Sequence, residues 1–247
     1  MEVDLLESTP DPEETACRAA RNDYMTEWVA DKSFEEVMES VDGDSLDDKK
    51  ETLIHHLMRR GHYGPFEHPQ ATFSVRSMSR VCMAQITRHR HASFDVQSLR
   101  YTVPGRGDID GLQDVEEYVV VPPSVTAEEW KSRETGKIEF DVPPEERKHS
   151  FLETCYDDFE TYFDLIDDGV PAEDARFVLP QATKVNVVFS INARGLMHIL
   201  DMRAAGDAQW EVREMSEEIL DLAKDWMPIT FEYYEEEMKD RKNRLGP

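Results

Sequence analysis

Apolar residues recur at intervals of three and four positions and predict several amphipathic helices. One begins near Ser45, which forms a variant capping box with Asp48, and ends at Gly61, a typical helix stop. A second, much longer helix covers Pro144–Asp168. The remaining helices are expected at residues 16–30, 34–40, 79–89, 172–179, 192–203, 215–228 and 231–244.

Strict alternation of apolar and polar residues predicts strands in other parts of the chain. Residues 71–75 alternate as a half-buried strand, and 184–191 are rich in β-branched residues, as in a core strand. Shorter strands are expected at 98–103 and 117–121, and residues 1–14 should form a loop or a short strand. We therefore expect an α+β fold with a mostly antiparallel sheet and helices packed around it.

The length of the chain fits one large domain or two small ones, and we expect a single domain over residues 1–247. The 53 acidic residues outnumber the 28 basic ones, for a net charge of -25, and they are spread over the whole chain. Such a surface indicates solubility in a salt-rich, halophilic cytosol. It argues against nonspecific binding of nucleic acid, which needs basic surface.

The cysteines and apolar runs indicate a cytoplasmic protein. Cys17, Cys82 and Cys155 are scattered and odd in number, which favours reduced thiols over a disulfide framework. No apolar run approaches the roughly 20 residues of a membrane span. The first residues lack the basic region of a secretory signal. We expect no membrane partner.

Arginines concentrate in residues 68–107, where Asp95 is the only acid. Guanidinium groups bind phosphate with two parallel hydrogen bonds, so this cluster points to a bound polyanion. Its members are Arg76, Arg80, Arg88, Arg90, Arg100 and Arg106. The alternative is a solvated arginine face with a few salt bridges.

The loop from Gly61 to His68 contains two histidines, a glutamate, and glycines with a proline that restrict its backbone. A metal site with His55 and His56 is one interpretation, but the spacing matches no known ligand pattern. Capping groups and satisfied core histidines are another. We expect no metal.

Four blocks, in order, resemble the motifs of the flavin-dependent thymidylate synthases, which make dTMP from dUMP. The first is the loop 61–68, and the second runs from Arg88-His89-Arg90 to Ser98 and Arg100-Tyr101. The third is Ala175–Pro180, and the fourth follows Asn192 to Arg203, with a return to the pattern up to Arg213. The recognisable blocks thus cover 61–101 and 175–213, and the resemblance implies the fold of this family.

The resemblance also implies residue roles. The residues expected to contact the flavin are His62, Gly64, Glu67, Arg88, His89, Arg90, Val96, Asn192, Ala193, Arg194 and His198. The residues expected to bind dUMP are Gln85, Ile86, Thr87, Arg88, Val96, Gln97, Ser98, Leu99, Arg100, Arg176 and Arg203. Gln85, Arg88 and His89 should share one face of the helix 79–89.

Four positions depart from the family pattern. Gly64 replaces a hydroxyl residue, and Val96 replaces the glutamate of some members, so contacts there would come from the backbone. Ala205 and Asp207 stand where an acid and a histidine are usual.

The implied reaction is reductive methylation of dUMP, with 5,10-methylenetetrahydrofolate as carbon donor and NADPH as reductant through FAD. Arg203 is the candidate catalytic residue, because a guanidinium near N3 and O2 of uracil would lower the pKa of the ring and activate C5. Ser98 is assigned to ligand binding, since no His–Asp pair is recognisable as its activator. The resemblance further implies a homotetramer with active sites shared between subunits.

Two other functions remain open on the sequence. A flavin-free enzyme that binds nucleotides or phosphate would purify colourless. A nucleic-acid-binding module using the arginine cluster would retain nucleic acid with a steep salt dependence, which the charge of -25 disfavours.

Overall fold

The computed structural model describes residues 1–132 and 136–239, and the fold class is α+β with an antiparallel sheet, as predicted. One sheet has the strand order β1-β2-β6-β3, and β4 pairs antiparallel with β5 as a hairpin. The strands are β1 (Glu2–Ser8), β2 (Gln70–Ser79), β3 (Ser93–Val96), β4 (Glu129–Ser132), β5 (Gly136–Glu139) and β6 (Lys184–Asn192).

Helices of very different length occupy most of the remaining described chain. The α-helices are α1 (Pro12–Asn22), α2 (Phe34–Val37), α3 (Leu46–Arg60), α4 (Arg80–Ile86), α5 (Leu112–Val115), α6 (Pro123–Thr126), α7 (Pro144–Asp167), α8 (Ala172–Ala175), α9 (Ala193–Arg203), α10 (Trp210–Trp226) and α11 (Pro228–Glu237). Short 3-10 helices cover Val29–Asp31, Gly64–Glu67 and Arg176–Val178.

The described chain divides into two compact units. Unit 1 comprises Met1–Val75, Thr87–Phe94 and the described chain from Val188 onward. Unit 2 comprises Arg76–Ile86 and Asp95–Val187. The strands β2, β3 and β6 each begin in one unit and end in the other. The single domain over residues 1–247 stays a prediction.

Unit 1 builds its core between strands and long helices. The ring of Phe189 in β6 lies 5.4 Å from that of Phe73 in β2 and 5.6 Å from that of Phe94 in β3. Helix α10 packs against β1, α9 and α11. The 3-10 helix Gly64–Glu67 packs against both α1 and α9. Through these contacts the loop 61–68 lies beside the start of α9, which sets up the site described below.

The ends of α3 follow from local sequence, as predicted. Ser45 and Asp48 each accept the backbone N–H of the other, at 3.1 Å and 2.9 Å respectively, in the expected capping box. Gly61 ends the helix with φ of 70°, a conformation that costs other residues energy.

Unit 2 is organised around α7, which confirms the predicted helix Pro144–Asp168 to within one residue. Phe159 and Tyr162 on its inner face are fully buried. The short helices α5, α6 and α8 pack against it. This scaffold holds the segment Ala172–Val178, which carries one of the predicted nucleotide-binding arginines.

The predicted helix 79–89 is wrong at its C-terminal end. Ser79 does cap the helix, since its Oγ accepts the N–H of Cys82 at 3.0 Å, but α4 ends at Ile86. The next residue, Thr87, is β-branched and disfavours helix. Gln85 and Arg88 therefore do not share a helical face.

The strand predicted at residues 98–103 is also wrong, because this segment is a turn. The carbonyl oxygen of Ser98 accepts three hydrogen bonds. The donors are the N–H of Tyr101 at 3.1 Å and the N–H and Oγ1 of Thr102 at 3.0 Å and 2.9 Å. Local hydrogen bonds of this kind compete with a strand ladder.

Other predicted boundaries shift. Helix α1 stops at Asn22 rather than at residue 30, since Asn22 and Asp23 favour helix ends. The expected strand 117–121 contains only an isolated bridge between Val119 and Thr183. Helix α11 ends at Glu237, and the part of the predicted helix 231–244 from residue 240 onward lies outside the described residues. The strand β3 and the hairpin of β4 and β5 were not predicted.

The cysteines are free and buried. Burial raises the pKa of the Cys17 thiol to about 12 and that of Cys155 to about 11, so both are poor nucleophiles. Separately, none of the helices in the described residues is long and apolar enough to cross a membrane.

Candidate active site

A cavity of about 440 Å³ lies in unit 1 and brings together segments that are distant in sequence. Seven of the residues predicted to contact a flavin line it: Glu67, Arg88, His89, Arg90, Asn192, Arg194 and His198. They come from the loop 61–68, the segment after α4 and the first two turns of α9. The volume is within the range of small-molecule sites.

The first turn of α9 is held in place by its cap. Asn192 Oδ1 accepts the N–H of Gly195 at 2.8 Å, and the N–H of Ala193 donates to the carbonyl of Pro69 at 3.0 Å. A Cβ on Gly195 would lie 2.9 Å from Cγ1 of Ile191, so the helix can approach β6 this closely only with glycine there. The cap therefore aligns Asn192 and Arg194 along the cavity.

An ion pair joins two sides of the cavity. Arg194 donates through Nη1 to Oε1 of Glu67, and both side chains are about half exposed. Solvent screens such a pair, so its contribution is mainly to orientation. The pair links the 3-10 helix Gly64–Glu67 to α9.

The Arg-His-Arg segment presents its side chains in two directions. Arg88 and Arg90 are exposed at the cavity, whereas His89 between them is buried. The Nε2 atom of His89 accepts a hydrogen bond from Nε of Arg203 at 3.0 Å. This bond requires an unprotonated Nε2, so the neutral ring carries its proton on Nδ1.

The surroundings of His89 favour that neutral form. Burial, and then the nearby Arg203, His198 and Arg88, lower the pKa of His89 to about 4. The ring of His198 meets that of His89 edge-on, with centroids 5.6 Å apart.

His198 carries the clearest sign of a ligand. Its Nδ1 atom is buried, and no hydrogen-bond partner for it exists within residues 1–132 and 136–239. Buried polar atoms are nearly always satisfied, so an unsatisfied one at a cavity wall calls for a partner from outside the chain. Three arginines also line this cavity, and they favour an anionic partner.

Unit 2 holds two of the four arginines predicted to bind the nucleotide, and both contact one glutamate. Arg100 Nη2 lies 2.9 Å from Oε2 of Glu173, and Arg176 Nε donates to the backbone carbonyl of Glu173 at 3.1 Å. An aromatic residue directly follows each arginine in the sequence: Tyr101 is 82% exposed and Phe177 is 84% exposed. Two guanidinium groups and exposed rings together suit an anionic aromatic ligand.

Other predicted substrate residues have structural partners in unit 2. Gln97 pairs with Asn186 through its N–H at 2.8 Å and its Oε1 at 3.0 Å. Ser98 Oγ accepts the N–H of Arg100 at 3.4 Å. Ile86 and Leu99 are buried, so their side chains belong to the core.

Some predicted flavin residues lie elsewhere. His62 lines a second cavity of unit 1, of about 500 Å³, together with Tyr24 and Arg60. Ala193 is fully buried, so any contact to a ligand would use its backbone. A Cβ on Gly64 would meet nothing within 4 Å, so sterics do not force the departure from a hydroxyl residue.

The other departures from the family pattern, and two further residues predicted to bind dUMP, lie outside the first cavity. Val96 ends β3 and is 36% exposed, Ala205 is buried and Asp207 is exposed. Gln85 lies in α4 and Thr87 directly follows it. None of these five lines the cavity of about 440 Å³.

Sequence reasoning missed several residues. His91, Ile191 and Gly195 line the first cavity, and each is adjacent to or within a motif that was recognised. Glu173 carried no signal, because one glutamate in an acidic chain is unremarkable before its arginine partners are known. In the described part of the chain, no group of three or more His, Cys, Asp or Glu residues could hold a metal ion.

Comparisons with known proteins agree with the motifs. Residues 4–229 match the family model described as thymidylate synthase complementing protein. The chain is 58% identical over 248 residues to a flavin-dependent thymidylate synthase of Haloarcula marismortui, covering 100% of each chain.

Solved structures share the fold. A UMP/dUMP methylase of Streptomyces cacaoi, bound with 5-Br dUMP, matches with a TM-score of 0.74 and 27% identity, over 95% of this chain and 94% of that one. A flavin-dependent thymidylate synthase of Helicobacter pylori, complexed with FAD and dUMP, matches with a TM-score of 0.69 and 21% identity, over 94% and 98%.

Proposed function

This chain belongs to the flavin-dependent thymidylate synthase family, and we propose that it converts dUMP to dTMP. In this proposal 5,10-methylenetetrahydrofolate donates the carbon, and NADPH supplies reducing equivalents through FAD. The observation that carries the proposal is the cavity of unit 1, where seven residues of the family motifs meet beside the unsatisfied Nδ1 atom of His198.

The residues at this cavity fit FAD. Arg88, Arg90 and Arg194 can bind its diphosphate, and Asn192 and His198 offer polar atoms to its ring system. When bound, FAD would carry the reducing equivalents between NADPH and the substrates. Glu67 would keep Arg194 oriented through their ion pair.

Arg100 and Arg176 are proposed to bind the phosphate of dUMP. The ion pair of Arg100 with Glu173 supports this, since a carboxylate interacts with a guanidinium group as a phosphate oxygen does. Arg176 is held beside the same residue through the backbone carbonyl of Glu173. Ser98 would contribute a hydroxyl hydrogen bond rather than act as a nucleophile.

Arg203 is proposed to activate the uracil ring. A guanidinium beside N3 and O2 stabilises the ionised ring, lowers its pKa and makes C5 more nucleophilic without a covalent enzyme intermediate. Because His89 is neutral, it can hold Arg203 through Nε while adding no second positive charge at that contact.

We make three further proposals about the molecule in the cell, based respectively on family membership, on the scattered free thiols and on the acidic composition. These are a homotetramer with active sites shared between subunits, a cytoplasmic location, and operation at high salt. The last agrees with the halophilic relatives of the chain. Sedimentation of the purified protein at several salt concentrations would test the tetramer.

The function is tested by anaerobic incubation with dUMP, 5,10-methylenetetrahydrofolate, NADPH and FAD. We expect dTMP, and we expect none when any one of the four is left out. Yellow protein with a flavin absorption spectrum is expected on purification or after addition of FAD. Colourless protein that forms no dTMP would overturn the proposal in favour of a flavin-free phosphate-binding enzyme.

A further inference from the structure

The contact between His89 and Arg203 joins residues 114 positions apart in the chain. His89 is 9% exposed, and Arg203 is the last residue of α9. His198, five positions earlier on α9, meets the His89 ring edge-on. Two residues of α9, Arg203 and His198, therefore contact the imidazole.

We infer that His89 is a positioning residue for Arg203: its Nε2 atom accepts the Nε–H of Arg203 and thereby sets the plane and direction of the guanidinium. This inference rests on the proposed function, in which Arg203 activates the uracil ring. It adds a role for His89 that is distinct from contact with a flavin.

The chemistry of the two groups explains how one hydrogen bond can do this. A guanidinium is planar and has five N–H donors in a rigid arrangement, of which one is on Nε and four are on Nη1 and Nη2. A bond at Nε defines the side from which Arg203 is held. The edge bearing Nη1 and Nη2 is then directed away from His89, as needed for recognition of two adjacent atoms such as N3 and O2.

The charges around His89 keep this contact intact. The ionisable groups that act on it are Arg203 and His198 from α9 and Arg88 from its own segment, and none of them is an acid. A proton on Nε2 would remove the acceptor and place a positive ring against Arg203. Burial and these neighbours lower the pKa of His89 to about 4, so the ring remains an acceptor at neutral pH.

Two amide variants test the role of the Nε2 acceptor separately from the other properties of the imidazole ring. In His89→Gln the side-chain oxygen can reach the place of Nε2, whereas in His89→Asn the shorter amide reaches only the place of Nδ1. We expect the kcat of His89→Asn to lie roughly 10- to 100-fold below that of His89→Gln, a loss typical of small errors in orientation. Flavin content should be equal in both. Equal kcat in the two variants, high or low, would overturn the inference.

A double-mutant cycle tests whether His89 acts through Arg203. Arg203→Lys removes the Nε–H donor and keeps the positive charge. In that background His89→Asn should cause no further loss of kcat, because the contact is already absent. A loss as large as in the wild-type background would show that His89 acts independently of Arg203 and would contradict the inference.

Urea unfolding of the same four proteins separates this inference from the proposed function. If the wild-type chain forms no dTMP, the proposed function fails, and the contact is judged from unfolding alone. His89→Asn should then lower the unfolding midpoint less in the Arg203→Lys background than in the wild type. Equal decreases would show that the two side chains are not coupled.

Discussion

Adjacent residues at the cavity differ in burial and in charge. Arg88 and Arg90 are exposed, but His89 between them is buried and faces Arg203 and His198. The same tripeptide therefore presents two exposed cations at the cavity and one buried neutral acceptor toward the protein. The difference in charge between His89 and the two arginines depends on burial, which disfavours the charged form of the imidazole.

Replacing Arg203 with alanine should abolish activation without removing the flavin. We expect Arg203→Ala to lower kcat for dTMP formation by roughly 100- to 1,000-fold, as for loss of one group that stabilises developing charge. The flavin absorption spectrum should persist, since Arg203 does not line the cavity of about 440 Å³. Full activity of Arg203→Ala would assign the activation to another residue.

The pKa of His89 should make stability depend on pH. The unfolded histidine has a pKa of about 6.5 and the folded one about 4, so between these values only the unfolded state gains the proton. Stability is therefore complete above pH 6.5 and falls as the pH drops toward 4, by roughly 2 kcal/mol at pH 5. Urea unfolding at pH 7.5 and pH 5 measures this loss.

His89→Gln is the control for that pH dependence, because glutamine does not titrate. Its stability should fall less over the same interval than that of the wild type. Glu13, whose pKa is raised mainly by burial, remains in both proteins and so cancels in the comparison. An identical pH dependence in wild type and variant would be evidence against a depressed pKa at His89.

At the scale of elements, the candidate site depends on the N-terminal cap of one helix and on the side chains that short helical segments position. Asn192 caps helix α9 and also lines the cavity. The segment formed by α8 and the 3-10 helix Arg176–Val178 brings Glu173 against Arg100. In both cases a local backbone arrangement places a side chain for binding.

Removing the cap of α9 should affect stability and ligand binding together. Asn192→Ala should destabilise the protein by about 1 kcal/mol, the usual cost of losing an N-cap, and should weaken retention of flavin. Ser45→Ala is the matched control, because it removes the cap of α3 away from the cavity. It should cost a similar free energy of unfolding and leave flavin retention unchanged. Equal flavin retention in the two variants would mean that the α9 cap has no part in the site.

Glu173 should compete with a phosphate for Arg100. Glu173→Gln removes a negative charge beside the proposed phosphate site, so the KM for dUMP should fall two- to fivefold, as expected for a partly exposed ion pair worth about 0.2–1 kcal/mol. Asp167→Asn is the matched control, since it breaks the exposed pair with Arg106 at 2.6 Å, and Arg106 is not among the residues expected to bind dUMP. A change in KM of the same size in both variants would point to general charge rather than to this site.

At the scale of the whole molecule, the acidic excess governs behaviour in solution. A net charge of -25 implies repulsion within the folded chain that salt can screen. The Debye length falls from about 10 Å at 0.1 M salt to about 3 Å at 1 M.

Thermal stability should therefore rise with salt. We expect a higher Tm in about 1 M KCl than in about 0.1 M KCl, with most of the gain complete once the Debye length is shorter than the spacing of surface charges. Differential scanning fluorimetry across a KCl series measures this. Sucrose is the control, because it strengthens burial without screening charge, so a gain in sucrose equal to that in KCl would contradict the electrostatic account.

Local sequence was sufficient to predict a helix wherever the stretch contains its own capping residues or a continuous apolar stripe. Helix α3 was predicted from the capping box of Ser45 and Asp48 at its start and from Gly61 at its end. Helix α7 was predicted from the apolar stripe of residues 144–168. Resemblance to the family motifs also identified seven residues of the cavity, because each motif is a contiguous stretch that can be matched without the fold.

Only the tertiary structure decided which of these residues meet. Helix α4 ends at Ile86, so the Arg-His-Arg segment is not helical as predicted. A turn at Ser98 takes the place of a predicted strand. The bond of His89 to Arg203 and the position of Glu173 between Arg100 and Arg176 could not be foreseen. The contacts of His89 with Arg203 and of Glu173 with Arg100 join residues far apart in the chain, and their energies depend on burial and neighbouring charge, which periodicity and spacing along the sequence do not encode.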